Sequence, residues 1–276
     1  MKIGIIGAGN IGSVLARHFR NAGHTVMIAN SRGPETLVDL ARETGAKAVP
    51  LLQVADGADC LVITIPVKSV PSLPKNLLAH LPASLPVIDT GNYYPLRDGR
   101  IQAIEEGMVE SEWTGRALGH PIIKAFNNIT AYSLEKKGRS KGSMNRIALP
   151  VSGNDIAAKN VVLSLLDQIG FDPYDAGSLA ESWRYQPGTP AYCPDPTLQQ
   201  LPRLLQRADR AKAPGNRDQA AKMMAKVPNF PPAELVRLAR LTAGLDTLHP
   251  RTWLAVLHLG FAMLRGSKRW SARIFR

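Results

Sequence analysis

Cysteine is nearly absent from this chain: Cys60 and Cys193 stand far apart, with no metal-ligand spacing around either. That excludes a disulfide-stapled scaffold and a zinc module, and a reducing, cytoplasmic setting is expected. Aromatic residues supply only 6% of the sequence. Glycine and proline are spread without a period, so collagen-like and low-complexity readings fail. Long apolar runs are missing as well. The run Lys2 to Ile6 ends in glycines rather than at a small-residue cleavage site. The run Trp253 to Leu264 is broken by His258 and falls short of the ~20 residues that a membrane-spanning helix needs. Neither a targeting segment nor a spanning one is expected.

Acidic residues are scarce in one region only. Residues 203–276 hold 15 Lys/Arg against 4 Asp/Glu, a net +11, whereas residues 1–202 hold 19 against 18. A neutral body therefore carries a basic tail. An anionic partner for it would be nucleic acid, a membrane surface or an acidic protein. The plainer reading is a solvated helical surface.

What is present is a chain of 276 residues, 45% apolar, enough for one large domain or two modest ones. Short apolar runs alternate with helical spacing. Strands are expected at Ile3–Ile6, Thr25–Ala29, Cys60–Ile65, Pro86–Asp89, Ile122–Ala125, Arg146–Val151 and Asp172–Asp175. Helices are expected at Ile11–Ala22, Pro34–Glu43, Val67–Leu81, Asn127–Lys136 and Ile156–Ile169. Such alternation implies parallel βαβ units: an α/β, Rossmann-like, doubly wound parallel sheet. After Gly177 the rhythm changes. Four prolines punctuate Tyr185–Gln199, and Leu198–Arg210, Ala233–Leu245 and Thr252–Leu264 read as helices. The expected division is residues 1–180 as a nucleotide-binding domain and 181–276 as a proline-rich loop with a basic helical extension. Deletion of 203–276 should then spare nucleotide binding, unless those helices cover the sheet.

Gly7-Ala8-Gly9-Asn10-Ile11-Gly12 lies between the first strand and the first helix. Gly7 suits the tight turn, Gly9 a close approach of backbone to pyrophosphate, and Gly12 close packing of helix on strand. Asn10 and Ile11 open the helix whose N–H groups would face the phosphates. The second strand ends in Asn30-Ser31-Arg32, where NAD-preferring sites carry a carboxylate. Arg32 can bind a 2′-phosphate bidentately and Ser31 can donate to it, which favours NADP(H) over NAD(H). A solvent-directed Arg32 is the bland alternative.

The run through Asn30-Ser31-Arg32 resembles the NADP oxidoreductases that depend on the deazaflavin coenzyme, and the NADPH domain of the six-transmembrane metalloreductases. Thr64-Ile65-Pro66-Val67, Asp89-Thr90-Gly91-Asn92, Lys124-Ala125-Phe126-Asn127 and Asp175-Ala176-Gly177 agree with that resemblance, which covers about 1–195. The resemblance implies that Ile65, Pro66 and Val67 line the ribose and nicotinamide side. It places Asn92 at the nicotinamide ribose and Ala125, Phe126 and Asn127 at the nicotinamide, with a core position as the rival for Phe126. The implied second substrate is a deazaflavin or flavin. Tyr93 and Tyr94 depart from the family pattern, and so do the basic loop Lys136–Lys141 and the tail after Pro196.

No acid–base pair stands out in the motif loops. Only His120, just before the fifth strand, is a candidate to approach a nicotinamide, against a structural role at the strand edge. Hydride transfer between two heterocycles needs no such pair, because the protein chiefly stacks the rings. A carbonyl or imine acceptor would want a proton donor. Trp183, Tyr185 and the loop Pro187–Cys193 are candidates for the acceptor side. The alternatives are a dehydrogenase of a small carbonyl or imine substrate and a non-catalytic NADP(H) sensor. Expected partners are a small-molecule acceptor, a second copy of the chain, and an anionic contact for the basic tail.

Overall fold

The computed structural model describes residues 1–265. Six short strands form one parallel sheet: β1 (Lys2–Ile6), β2 (Thr25–Ala29), β3 (Lys47–Ala48), β4 (Cys60–Ile63), β5 (Val87–Asp89) and β6 (Ile123–Lys124). Their order across the sheet is β3-β2-β1-β4-β5-β6. The chain winds outward from β1 to β3, then returns to the other side of β1, pairing Ile3 with Cys60 and Ile6 with Ile63. That reversal opens a crevice at the carboxyl ends of β1 and β4, the point where doubly wound sheets take ligands.

The near-continuous apolar strands follow from burial on both faces. Ile3 and Ile5 join one core with Val14, Leu15 and Phe19 of the first helix, Asn10–Asn21. Ile6, Met27, Leu61 and Val87 face the opposite core. Cys60 is fully buried, and burial pushes its thiol up to about 12, so it is packing material.

Two expected strands do not extend this sheet. β7 (Ala148–Val151) and β8 (Asp172–Asp175) form their own parallel pair. The outer edge of β6 is taken by Ser152 running antiparallel: Lys124 N donates to the Ser152 carbonyl at 2.8 Å, and Ser152 N returns the bond at 3.1 Å. The helix expected over Val67–Leu81 is a 3-10 segment, Val67–Ser72, followed by a four-residue helix, Asn76–Ala79. Pro71 and Pro74 lack the N–H groups that a continuous helix requires. Thr130 accepts from Ser133 N at 3.1 Å, so the next helix starts at Ala131 rather than Asn127. Helices Glu110–Leu118 and Ala213–Ala225 were not expected.

A third core joins β7 to the chain beyond it. Ala148 packs with Tyr185, Ala191, Leu201, Leu204, Leu205 and Ala243. Helix Pro232–Thr242 is pinned to the proline loop by Arg240, which donates to the Pro194 and Asp195 carbonyls at 3.0 and 2.9 Å. Arg217 lies over the Tyr93 ring at 5.0 Å. No helix among the described residues is long and apolar enough to cross a membrane.

Candidate nucleotide site

The carboxyl ends of β1, β4, β5 and β6 bring four loops together. Gly7 has φ of 109°, a conformation that L side chains rarely adopt, and its added Cβ would lie 2.6 Å from the Thr64 carbonyl. Thr64 fixes this turn by donating its hydroxyl to the Gly7 carbonyl at 2.8 Å. A Cβ on Gly12 would collide with the Gly7 carbonyl and lie 2.6 Å from Thr64 Oγ1. Gly9 is different: a Cβ there would meet nothing within 4 Å. The helix it precedes has no side-chain cap and no acidic residue in its first turn, so its leading N–H groups point outward without a carboxylate beside them. Asn10 is exposed and Ile11 half-buried at that end. These features fit a dinucleotide pyrophosphate.

At the end of β2, the Asn30 carbonyl oxygen Oδ1 accepts from Arg32 N at 2.9 Å, and Asn30 Nδ2 donates to Thr36 Oγ1 at 2.9 Å. Asn30 therefore shapes the loop, while Ser31 and Arg32 stay exposed. Among the described residues, the Arg32 guanidinium has no ion pair. The Glu35 carboxylate folds across Gly33, where an added Cβ would lie 2.5 Å from its Oε2.

Ile65 and Pro66 are half-exposed beside the crevice, whereas Val67 is buried with Tyr93 and Ile104. Asn92 and Asn127 meet: Asn92 Nδ2 donates to the Asn127 carbonyl at 2.8 Å, and Asn127 Nδ2 donates to Asn92 Oδ1 at 3.2 Å and to the Tyr185 carbonyl at 3.2 Å. Asn127 Oδ1 is buried without a partner among the described residues. Ala125 is fully buried. Phe126 also points inward, its ring edge-on to Phe19 at 6.5 Å, with φ of 62°. Only its backbone is available to a ligand, because the ring completes the core under the first helix.

Beneath these loops lies an ion pair that sequence reasoning missed. Lys124 Nζ contacts Asp89 Oδ2 at 2.8 Å, both side chains being 2% exposed, and also donates to the Gly91 carbonyl. Asp89 Oδ1 accepts from Gly91 N at 2.8 Å. The pair clamps the turn that carries Asn92. A Lys at the end of one apolar strand and an Asp at the end of its neighbour were the available signal.

Tyr93 does not enter the crevice; its hydroxyl donates to the Gly99 carbonyl and its ring lies under Arg217. The Tyr94 hydroxyl meets that of Tyr192 at 2.7 Å, close to Asn92 Nδ2, which is 3.4 Å from Tyr192. Tyr185 is fully buried and donates to the Lys124 carbonyl at 3.3 Å, and burial pushes its hydroxyl well above the usual range. Burial likewise raises the Cys193 thiol. The guanidinium groups of Arg184 and Arg210 lie 4.7 and 5.6 Å from the Trp183 ring, at a cavity of about 280 Å³ that Glu110 and Arg217 also line. His120 is held by the Pro121 carbonyl at 2.7 Å and the Pro82 carbonyl at 3.1 Å. Those prolines precede β6 and β5, at the amino end of the sheet, so His120 is excluded as a group acting at the crevice. Asp175 joins Lys159 at 2.8 Å and accepts from Gly177 N, closing a structural turn.

Strand order, glycine turn and uncapped helix define a Rossmann-type dinucleotide-binding protein. The family model described as NADP oxidoreductase, coenzyme F420-dependent, matches residues 2–93. A solved hypothetical protein from Sinorhizobium meliloti is 31% identical with a TM-score of 0.59, covering 67% of this chain and 89% of that one. A proposed F420-dependent NADP-reductase from Arthrobacter is 25% identical with a TM-score of 0.54, over 66% of this chain and 87% of that one. The Escherichia coli (strain K12) protein YjhV is 51% identical over 55 residues, which is 20% of this chain and 40% of that relative's length. Over residues 2–93 the chain is thus similar to the NADP oxidoreductase family.

Proposed function

We propose that the protein is an NADPH-dependent oxidoreductase that passes hydride between NADP(H) and a flavin- or deazaflavin-like acceptor. The observation that carries this reading is the loop after β2: an exposed Arg32, without an ion pair among the described residues, beside Ser31 and held by Asn30. That is the chemistry of a 2′-phosphate clamp. Gly7, Gly9, Asn10, Ile11 and Gly12 would hold the pyrophosphate against the helix N-terminus. Ile65, Pro66 and Val67 would line the ribose side, with Asn92, Asn127 and the backbone of Ala125 and Phe126 at the nicotinamide end. When bound, the nicotinamide supplies the hydride.

The acceptor assignment rests on the side chains around Asn92, where the Tyr94 and Tyr192 hydroxyls bond each other at 2.7 Å and burial raises both above the usual range. His120 lies at the other end of the sheet, Tyr185 is sealed by its own hydrogen bond, and Lys124 is committed to Asp89. A ring acceptor asks for stacking and exclusion of water rather than a proton donor. Residues 1–180 would form the nucleotide-binding unit and 181–276 its extension. The test is titration with NADPH and NADH, then NADPH oxidation with a panel of flavins and a deazaflavin. Selective NADPH binding with turnover on one ring acceptor is the expected result. Binding without turnover on any ring would overturn the acceptor, and absence of binding would overturn the whole reading.

A further inference from the structure

We propose that the outer face of the last described helix, Pro250–Arg265, docks on an anionic lipid surface. This helix packs inward on Pro232–Thr242, with Thr252 and Ala255 each 1% exposed and His258 Nδ1 2.8 Å from Glu234. Its other side has no such cover among the described residues. Trp253, Leu254, Leu257, Phe261 and Leu264 are 52%, 62%, 60%, 62% and 79% exposed. At about 100° per residue these five fall in one arc of roughly 100°. With Leu248 they make up 6 of the 13 exposed large apolar side chains among the described residues, so the exposure is concentrated rather than scattered. The indole of Trp253 is oriented by donating to the Thr247 carbonyl at 2.9 Å.

Charge selects the occupant. No Asp or Glu follows Asp246, while six Lys/Arg lie between Arg251 and Arg276. A second copy would set two segments of like charge against each other. An anionic bilayer surface suits both the apolar stripe and the cation excess of this stretch of sequence, the two attractions that interfacial amphipathic helices combine. The helix would lie along the surface, being too short and too polar at its ends to span it.

The test is co-sedimentation of the full chain with vesicles of phosphatidylcholine alone and of phosphatidylcholine mixed with phosphatidylglycerol. Mixed vesicles should bind at least ~10-fold more tightly than neutral ones, with a loss on adding salt. Leu257→Glu/Phe261→Glu should lower that binding ~10-fold or more while far-UV circular dichroism and NADPH affinity stay as they were. If that double variant misfolds, Trp253→Ser is the substitute, with the same expectation. Equal binding to both vesicle types, or full binding by a folded variant, overturns the proposal. So does a dimer in light scattering that the double variant dissociates, which would assign the face to a second copy. Salt-sensitive binding to duplex DNA with no vesicle binding overturns it too.

Discussion

Replacing Arg32 by alanine separates the phosphate-clamp reading from every alternative. The side chain is exposed and, among the described residues, unpaired, so its loss uncovers nothing and should change stability by no more than ~0.5 kcal/mol. What disappears is a charge-assisted hydrogen bond to the 2′-phosphate, about 1.5–3 kcal/mol. Two features place the effect in the lower half of that range. The guanidinium sits in screened solvent, and the Glu35 carboxylate folded across Gly33 opposes an anion in the same loop. A loss of about 2 kcal/mol is a rise of roughly 30-fold in Kd. NADH lacks the phosphate, and its Kd should move by less than ~2-fold, within the scatter expected of a surface substitution. Fluorescence titration of both nucleotides at low and high ionic strength measures this, and the NADPH loss should shrink in high salt. Glu35→Gln should act oppositely, tightening NADPH alone. Equal losses for the two nucleotides, or no loss for either, would refute the clamp.

The two motif glycines should fail in different assays. Gly12→Ala forces a methyl into the Gly7 carbonyl and should cost about 1–3 kcal/mol in a urea melt. Gly9→Ala meets no protein atom, so it should keep its melt and weaken NADPH instead. Lys124→Met leaves Asp89 buried and unpaired, at a cost of about 3–5 kcal/mol, and Asp89→Leu added to it should recover much of the loss. For Glu110, burial raises the carboxyl to about 7, against the opposing pull of Lys124, the Tyr93 N–H and Arg217. Because the folded value lies above the unfolded one, its stabilising contribution is complete below pH ~4.5 and is lost as pH rises through ~7. Thermal melts should therefore show stability falling over that window in the wild type and less so in Glu110→Gln.

The parts of this protein legible in its sequence are those where local chemistry and tertiary context agree. β1, β2 and the first helix are short apolar runs and a periodic face joined by a glycine turn, and nothing distant is needed to read them. Gly7 and Gly12 play the parts their spacing implies, since a turn with positive φ and a close helix–strand contact admit no other residue. What escaped was set by long-range packing. Phe126 and Asn127 are adjacent in the sequence, yet one completes the core and the other meets Asn92 across the loops. The Lys124–Asp89 pair spans 35 residues, and a charge at each strand end marks it only once the two strands are known to be neighbours. The detached β7–β8 pair depends on one antiparallel bridge at Ser152, which apolar periodicity cannot register.

The arginines of the basic tail have two different employments. Arg207 donates to the Ala243 carbonyl at 2.8 Å, Arg217 is buried over Tyr93 and pairs with Asp218, and Arg240 holds the proline loop. These charges are internal fastenings, and Leu201, Leu204 and Leu205 just before them close the core around Tyr185. The cations from Arg251 onward follow the last acidic residue, Asp246. Truncations should therefore divide by position. A chain ending at Pro202 exposes Ala148, Tyr185 and Leu201 and loses the clamp on Pro194 and Asp195, so it should aggregate rather than bind NADPH. A chain ending at Leu248 keeps those contacts, uncovers only the inner stripe of the last helix pair, and should bind NADPH with a lowered melting temperature. If the shorter chain instead stays monomeric and binds NADPH as the full chain does, the tail is an appendage after all, and the core around Tyr185 does not hold it to the sheet.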